Sequence, residues 1–282
     1  MENIVRSEQE LVRRGKISAI RDFCNPYPDK YEVTNSISEA RLLDDGTENV
    51  SIAGRIVFLR KMGKLSFIRI RDIEDSIQIS FQMDLLGEDN YKFFKSNIDV
   101  GDFIGVCGEM VTTQTGEKTL RAHSFTFLGK ALRPLPEKFH GLTDQEMKYR
   151  SRYVDLIMNE DSRERFMFRS KLIWEIRKYL NGKGYTEIET PILNNKASGA
   201  MARPFVTHHN ALDIDLYLRI APETYLKRAI IGGFTKVYEF ARCFRNEGMD
   251  TTHLQDFTML EGYGAYMNYR DNMKFLREMI QE

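Results

Sequence analysis

The sequence predicts an α+β chain in two parts: a closed barrel of short strands, then an antiparallel sheet with helices around it. Three observations carry this. Five runs between residues 49 and 127 place apolar residues at alternate positions, the period of a half-buried strand. The stretch 129–142, GKALRPLPEKFHGL, holds two of the chain's 7 prolines and no clear period, which marks a boundary. Beyond it, two runs with helical spacing precede short strand-like segments. A length of 282 residues agrees, since domains run to roughly 150 residues each.

Taken in order, residues 7–21 read as a helix, with Ser7 as N-cap, Glu10 three residues on, and Leu11, Val12, Ile17 and Ile20 as its apolar positions. A short second helix follows at 37–43. The five strand runs are VSIAGRIVFLR, SFIRIRD, SIQISF, DFIGVCGEMVT and TLRAHSFTF, with a polar stretch at 90–97 reading as a helix between the third and fourth. Five strands with a helix inserted there describe an OB-fold barrel. The division is therefore a helical extension at 1–48, the barrel at 49–130, a linker at 131–142 and a second domain at 143–282. That domain opens with helices at 142–159 and 162–184. The latter repeats Phe168, Leu172, Ile176 and Tyr179 and closes on Gly182 or Gly184. The last helix carries Met273, Leu276 and Ile280 on one face.

Composition excludes several classes. Hydrophobic residues at 42% and charged residues at 29% are those of a chain with real cores, which rules out disorder, collagen and a rod. Lys plus Arg and Asp plus Glu balance at 41 each, so a nucleic-acid partner has to be held by a local basic patch. Cys24, Cys107 and Cys243 form no CxxC pair, which favours a reducing, cytoplasmic setting. No segment reads as a signal peptide or membrane span. His208 and His209 are adjacent, hence on opposite faces of a strand, so no metal pair is expected from them.

Strand parity gives the barrel a functional face. In SFIRIRD, Ile68 and Ile70 point one way and Phe67, Arg69 and Arg71 the other; in SIQISF, Gln78 joins the polar side. An aromatic, two guanidinium groups and an amide on adjacent strands suit single-stranded bases, which stack, pair charges and present edges. A solvated face with one stray aromatic has the same pattern.

The second domain has three more specific stretches: GYTEIETPIL at 184–193, SGAMARPF with DLYLRIAPETYLKR at 198–228, and KVYEFARCFRNEGMDTTHLQDFTMLEGYGAY at 236–266. In the last, Phe257, Met259, Glu261 and Tyr263 share one strand face, and parity puts Glu239 and Arg245 together on the partner strand. An arginine fork suits a phosphate and an aromatic face suits a purine. Two buried carboxylates suit an ammonium, although Glu223 and Glu261 also fit a structural ion pair with an arginine.

These stretches resemble motifs 1 and 2 of class II aminoacyl-tRNA synthetases. The wording HHNALDIDLYLRIAPE and FRNEG, with MGKLSF and RPLPEKFHGL before it, is similar to the lysyl-tRNA synthetases of class IIb over nearly the whole chain. The resemblance implies an OB-fold anticodon-binding barrel followed by the front part of the class II catalytic domain, ending before motif 3. It implies Arg245 on the α-phosphate of ATP, Glu247 on the adenine amino group, Phe257 on the adenine ring and His253 near the phosphates, with Arg245 the catalytic residue. It places lysine among Gly199, Glu223, Glu261 and Tyr263, with Glu223 toward the α-amino group, and the anticodon on Phe67 and Gln78 with Glu117 as a third contact. Residues 254–256 read Leu-Gln-Asp where the family has Asn-Pro-Glu.

The implied activity is that of a lysine-tRNA ligase, with ATP and L-lysine as substrates, tRNA(Lys) as partner and a homodimer through motif 1. Mg2+ ligands are expected beyond residue 282. The competing expectation is a tRNA-binding fragment or split half, inactive without a separate C-terminal half.

Overall fold

The computed structural model describes residues 6–136 and 142–282. Residues 1–5 of the expected helical extension, and residues 137–141 of the expected linker, the EKFHG of its wording, lie outside the described residues. Contacts divide the chain into two compact units, 1–163 and 164–282.

Helix α1 (Glu8–Phe23) starts at Ser7, whose hydroxyl accepts from the Glu10 backbone N–H at 3.2 Å. Glu10 does not return the favour; its buried carboxylate accepts instead from Arg14 Nε at 2.9 Å. Of the expected apolar positions, Ile20 is buried but Leu11 and Val12 are exposed. Helix α2 (Ile37–Leu42) carries the complete reciprocal cap, Ser36 with Glu39.

The barrel comprises β1 (Val50–Lys61), β2 (Leu65–Arg71), β3 (Ser76–Gln82), then helices α3 (Met83–Leu86) and α4 (Glu88–Asn97), then β4 (Phe103–Thr112) and β5 (Lys118–Gly129). It closes in the order β1-β2-β3-β5-β4, with β3 and β5 parallel and the other pairs antiparallel. Parity holds as read: Ile68, Ile70, Ile77, Ile79 and Phe81 are all fully buried. The stretch at 90–97 is less polar in effect than its composition implies. Tyr91, Phe93 and Phe94 share the inner face of α4, and the Phe94 ring lies 4.4 Å from that of Phe81. The helix thus plugs the barrel with aromatic area, the largest apolar contribution per residue. A register shift in the β4–β5 pair falls at Gly108, where a Cβ would stand 2.0 Å from the Arg121 carbonyl oxygen; only glycine fits. Just past β5, the fully buried Lys130 ammonium donates to Asp99 at 2.6 Å and Asp102 at 2.7 Å, fastening the chain that leaves the barrel.

The helix expected at 142–159 is two, α5 (Gln145–Arg150) and α6 (Arg152–Met158), broken at Ser151. The long α7 (Glu160–Gly182) follows, and Gly184 turns the chain with φ +80°. Its expected apolar stripe is only half used. Tyr179 and Leu180 are buried, whereas Phe168 and Leu172 are exposed.

The second unit then runs β6 (Thr186–Glu187), β7 (Leu193–Asn194), β8 (Val206–His209), β9 (Ile214–Leu218), α8 (Glu223–Ile231), β10 (Lys236–Phe244), β11 (Asp256–Gly264) and α9 (Tyr269–Gln281). One sheet is ordered β11-β10-β6, antiparallel between β10 and β11 and parallel between β10 and β6; the other is ordered β7-β9-β8. Leu180, Tyr185 and Tyr238 form the small core. Met273, Leu276 and Ile280 share one face of helix α9 and are exposed, whereas Phe275 and Met279 pack on this core. The reason is aromatic packing, since Phe275 meets Tyr179 and Tyr185 at 5.4 and 5.2 Å. The α+β architecture, barrel first, is the one the sequence predicts. No helix among the described residues is long and apolar enough to cross a membrane.

Candidate functional site

The β10–β11 ladder builds the site. Its register pairs Glu239 with Glu261, Val237 with Tyr263 and Cys243 with Phe257. Opposed residues of an antiparallel pair share a face, so Glu239, Glu261, Tyr263 and Phe257 stand on one side of the sheet, as parity predicts. The ladder continues one step further, because Arg245 N–H donates to the Gln255 carbonyl at 2.8 Å.

At that end, Arg245, Glu247, Gly248, Thr252, His253, Leu254 and Phe257 line a cavity of about 270 Å3. All four residues expected to hold ATP therefore meet in one place. The Arg245 guanidinium lies 5.1 Å from the Phe257 ring centroid, and its buried Nε has no hydrogen-bond partner among the described residues. A buried donor without a partner is costly, and an incoming anion relieves it. Glu247 accepts from the Arg203 backbone N–H at 3.2 Å, which ties the ARPF segment to the cavity rim.

The four residues expected around lysine also converge. Tyr263 donates its hydroxyl to Glu261 Oε1 at 2.6 Å, while Glu261 Oε2 is buried with no partner among the described residues. Burial and then the Glu261 carboxylate push the Tyr263 phenol well above its ordinary range, so it stays a donor. Gly199 sits at φ +91°, and a Cβ there would lie 3.0 Å from Ala221 Cβ and 3.1 Å from Glu223 Cβ. Its bare backbone thus passes directly against Glu223. The Glu223 carboxylate pairs with Lys227 one helical turn on, and the Lys227 ammonium stands 5.9 Å from the Tyr263 ring centroid. The ion-pair reading thus holds for Glu223, with a lysine in place of an arginine; among the described residues Glu261 has no such cation.

A further pair was not read as part of the site. Arg219 donates to Glu239 at 2.6 Å, both buried, and also to Thr190 and the Arg242 carbonyl. This neutralises the carboxylate facing Glu261. The signal was an arginine inside the apolar run LYLRIA.

Comparison with known proteins fits this geometry. Residues 144–282 match the family described as tRNA synthetases class II (D, K and N), and residues 50–128 match the OB-fold nucleic acid binding domain. Lysine-tRNA ligases of Enterococcus faecalis and of Streptococcus pneumoniae are each 50% identical over 285 residues, 98% of this chain and 57% of theirs. That of Lactococcus lactis subsp. cremoris is 49% identical over 98% of this chain and 58% of its own. The chain belongs to the lysyl-tRNA synthetase family. It spans little more than half the length of these curated relatives.

In this lysyl-tRNA synthetase family chain the barrel residues singled out also share one face. Register sets Arg69 beside Gln78 and Gln78 beside Thr119, with Phe67 two positions along, half-buried. Arg69 pairs with Glu117 at 2.7 Å and Gln78 donates to Thr119 at 3.0 Å. The aromatic is thus flanked by polar groups held in place. His208 contacts Asp213 and Asp215 across the β8–β9 hairpin, and Cys243 is a buried thiol that burial pushes up in pKa. Among the described residues, no three His, Cys, Asp or Glu side chains come together as metal ligands. The acidic residues among those described do not fit a magnesium site.

Proposed function

We propose that this chain carries the anticodon-binding barrel and the lysine- and ATP-binding face of a lysine-tRNA ligase. The observation that carries the reading is Glu261: a buried carboxylate with one oxygen held by Tyr263 and the other unpartnered is a seat for an ammonium group. An aspartate-specific site needs a cation there instead. The α-amino group of lysine docks on Glu223, displacing Lys227, and the glycine at 199 leaves room for it. ATP enters the cavity between Arg245 and Phe257, its adenine stacked on the ring and its amino group near Glu247. The lysine carboxylate attacks the α-phosphorus and pyrophosphate leaves; a terminal ribose hydroxyl of tRNA(Lys) then takes the acyl group from the lysyl-adenylate, and AMP leaves. The chain's own contribution is to align carboxylate and phosphorus and to place the Arg245 charge on the α-phosphate as negative charge builds.

The same reading makes residues 131–142 the linker between the barrel and the catalytic domain, and sets the protein in the cytoplasm. It makes the protein a homodimer through α7, where Phe168, Leu172 and Trp174 are exposed. Calorimetry with a non-hydrolysable lysyl-adenylate analogue tests the proposal. Binding of the lysyl but not the aspartyl analogue is expected, and equal binding of both overturns it. Lysine-dependent pyrophosphate exchange then separates a self-sufficient ligase from a tRNA-binding piece that needs a separate C-terminal half.

A further inference from the structure

The loop between β10 and β11 contains a contact that the lysine and adenine assignments do not use. Asp250 Oδ1 accepts from the Thr252 backbone N–H at 2.7 Å, the Thr252 hydroxyl at 2.8 Å and the His253 backbone N–H at 2.8 Å. Both carboxylate oxygens also meet His253 Nδ1, at 2.9 and 2.8 Å. His253 lines the 270 Å3 cavity; Asp250 does not.

We propose that Asp250 is a positioning residue for nucleotide binding, fixing the His253 ring through Nδ1 so that Nε2 is the nitrogen presented to the phosphates of ATP. This rests on the reading of the cavity as the ATP site. An ionised carboxylate only accepts, so the ring nitrogen facing it has to carry the proton. Four donors keep Asp250 ionised: the Thr252 backbone and hydroxyl, then the His253 ring and backbone, hold its pKa far below the usual carboxylate range. Neutral His253 then has Nδ1–H committed to Asp250 and a lone pair on Nε2, which has no protein hydrogen-bond partner among the described residues. Nε2 is thus the ring nitrogen left to face the phosphates: in the imidazolium form it donates to a phosphate oxygen while Asp250 balances the ring's charge, and Arg245 and Glu247 are the other charged groups on the cavity. The device is a carboxylate behind an imidazole, the arrangement that fixes tautomer and orientation wherever a histidine has one working nitrogen.

Asp250→Asn is the test, because asparagine keeps an oxygen for the loop's backbone donors and removes the charge behind the ring. Nitrogen-15 correlation spectra of the histidine-labelled chain at pH 8 should show His253 as the Nδ1–H tautomer in the parent and shifted toward Nε2–H in the variant. ATP affinity by calorimetry should fall about fivefold, the scale of one hydrogen bond, with AMP affinity unchanged. In a His253→Ala background the Asp250→Asn change should no longer weaken ATP. A simple through-space effect has the opposite sign: removing an anion near a triphosphate tightens binding. Unchanged or tighter ATP binding in the variant, or a tautomer that ignores the substitution, overturns the proposal. If the parent binds neither ATP nor AMP, the nucleotide reading of the cavity fails, and the tautomer still decides whether Asp250 sets the ring.

Discussion

Replacing Glu261 with glutamine should weaken lysine binding and, in the absence of lysine, stabilise the chain. Both signs follow from one atom. Glu261 Oε1 is occupied by the Tyr263 hydroxyl at 2.6 Å, whereas Oε2 is buried with no partner. An ammonium seated about 3 Å from that oxygen gains about 5 kcal/mol at an effective dielectric of about 20. Dehydration of the ammonium consumes part of this, which leaves about 2 to 4 kcal/mol, or about 30-fold to 1,000-fold in affinity. Without ligand the same carboxylate is a burden: an amide of equal shape loses about 1 kcal/mol less on burial, and Tm should rise by about 2 to 4 °C. Calorimetry with L-lysine and with norleucine, whose side chain carries no charge, gives the first number, and a thermal melt gives the second. Norleucine affinity should move little. Undiminished lysine affinity in the variant refutes the charge argument. A large fall in Tm refutes the claim that Oε2 is unpartnered.

Three further outcomes are expected. Phe67→Ala should weaken tRNA(Lys) binding by about 1 to 3 kcal/mol at fixed salt, the cost of a lost base stack, and an unchanged filter-binding curve refutes the barrel-face assignment. Lys130→Met should cost the barrel unit about 3 to 5 kcal/mol in urea titrations, because it strands the fully buried Asp102 carboxylate, whereas Asp99 keeps Lys16 at 2.7 Å; a loss under about 1 kcal/mol says water replaces it. Tyr238, pushed up to about 12 by burial and then by the Glu187 carboxylate, contributes stability that is complete below the ordinary tyrosine value of about 10 and is lost as pH rises toward 12. The Tm advantage of the parent over Tyr238→Phe should therefore hold to about pH 10 and shrink above it, and a constant gap contradicts this.

Much of the molecule was legible in the chain because backbone geometry is local. Successive strand residues alternate faces whatever they pack against, so Ile68 and Ile70 were inward, and Phe67 and Gln78 outward, on parity alone. The same rule aligned Phe257, Glu261 and Tyr263 before any partner strand was known. A helix start was readable for the same reason at Ser7, where capping needs only a few neighbouring residues.

What covers a face is a long-range matter, and there the pattern was silent. Phe168 and Leu172 obey the same helical spacing as Tyr179, yet they are exposed while Tyr179 is buried against its neighbours. Helix α9 offers two apolar stripes, and the Phe275 side won because the rings of Tyr179 and Tyr185 stand there. Charge pairing is similar: both Glu239 and Glu261 face one side of the sheet, but Arg219, 20 residues from Glu239, neutralises only the former. A strand or helix constrains which side chains share a surface through bonds a few residues long. Which surface is buried, and which carboxylate is left to bind something else, depends on contacts closed across tens of residues, and those exist only once the chain has folded.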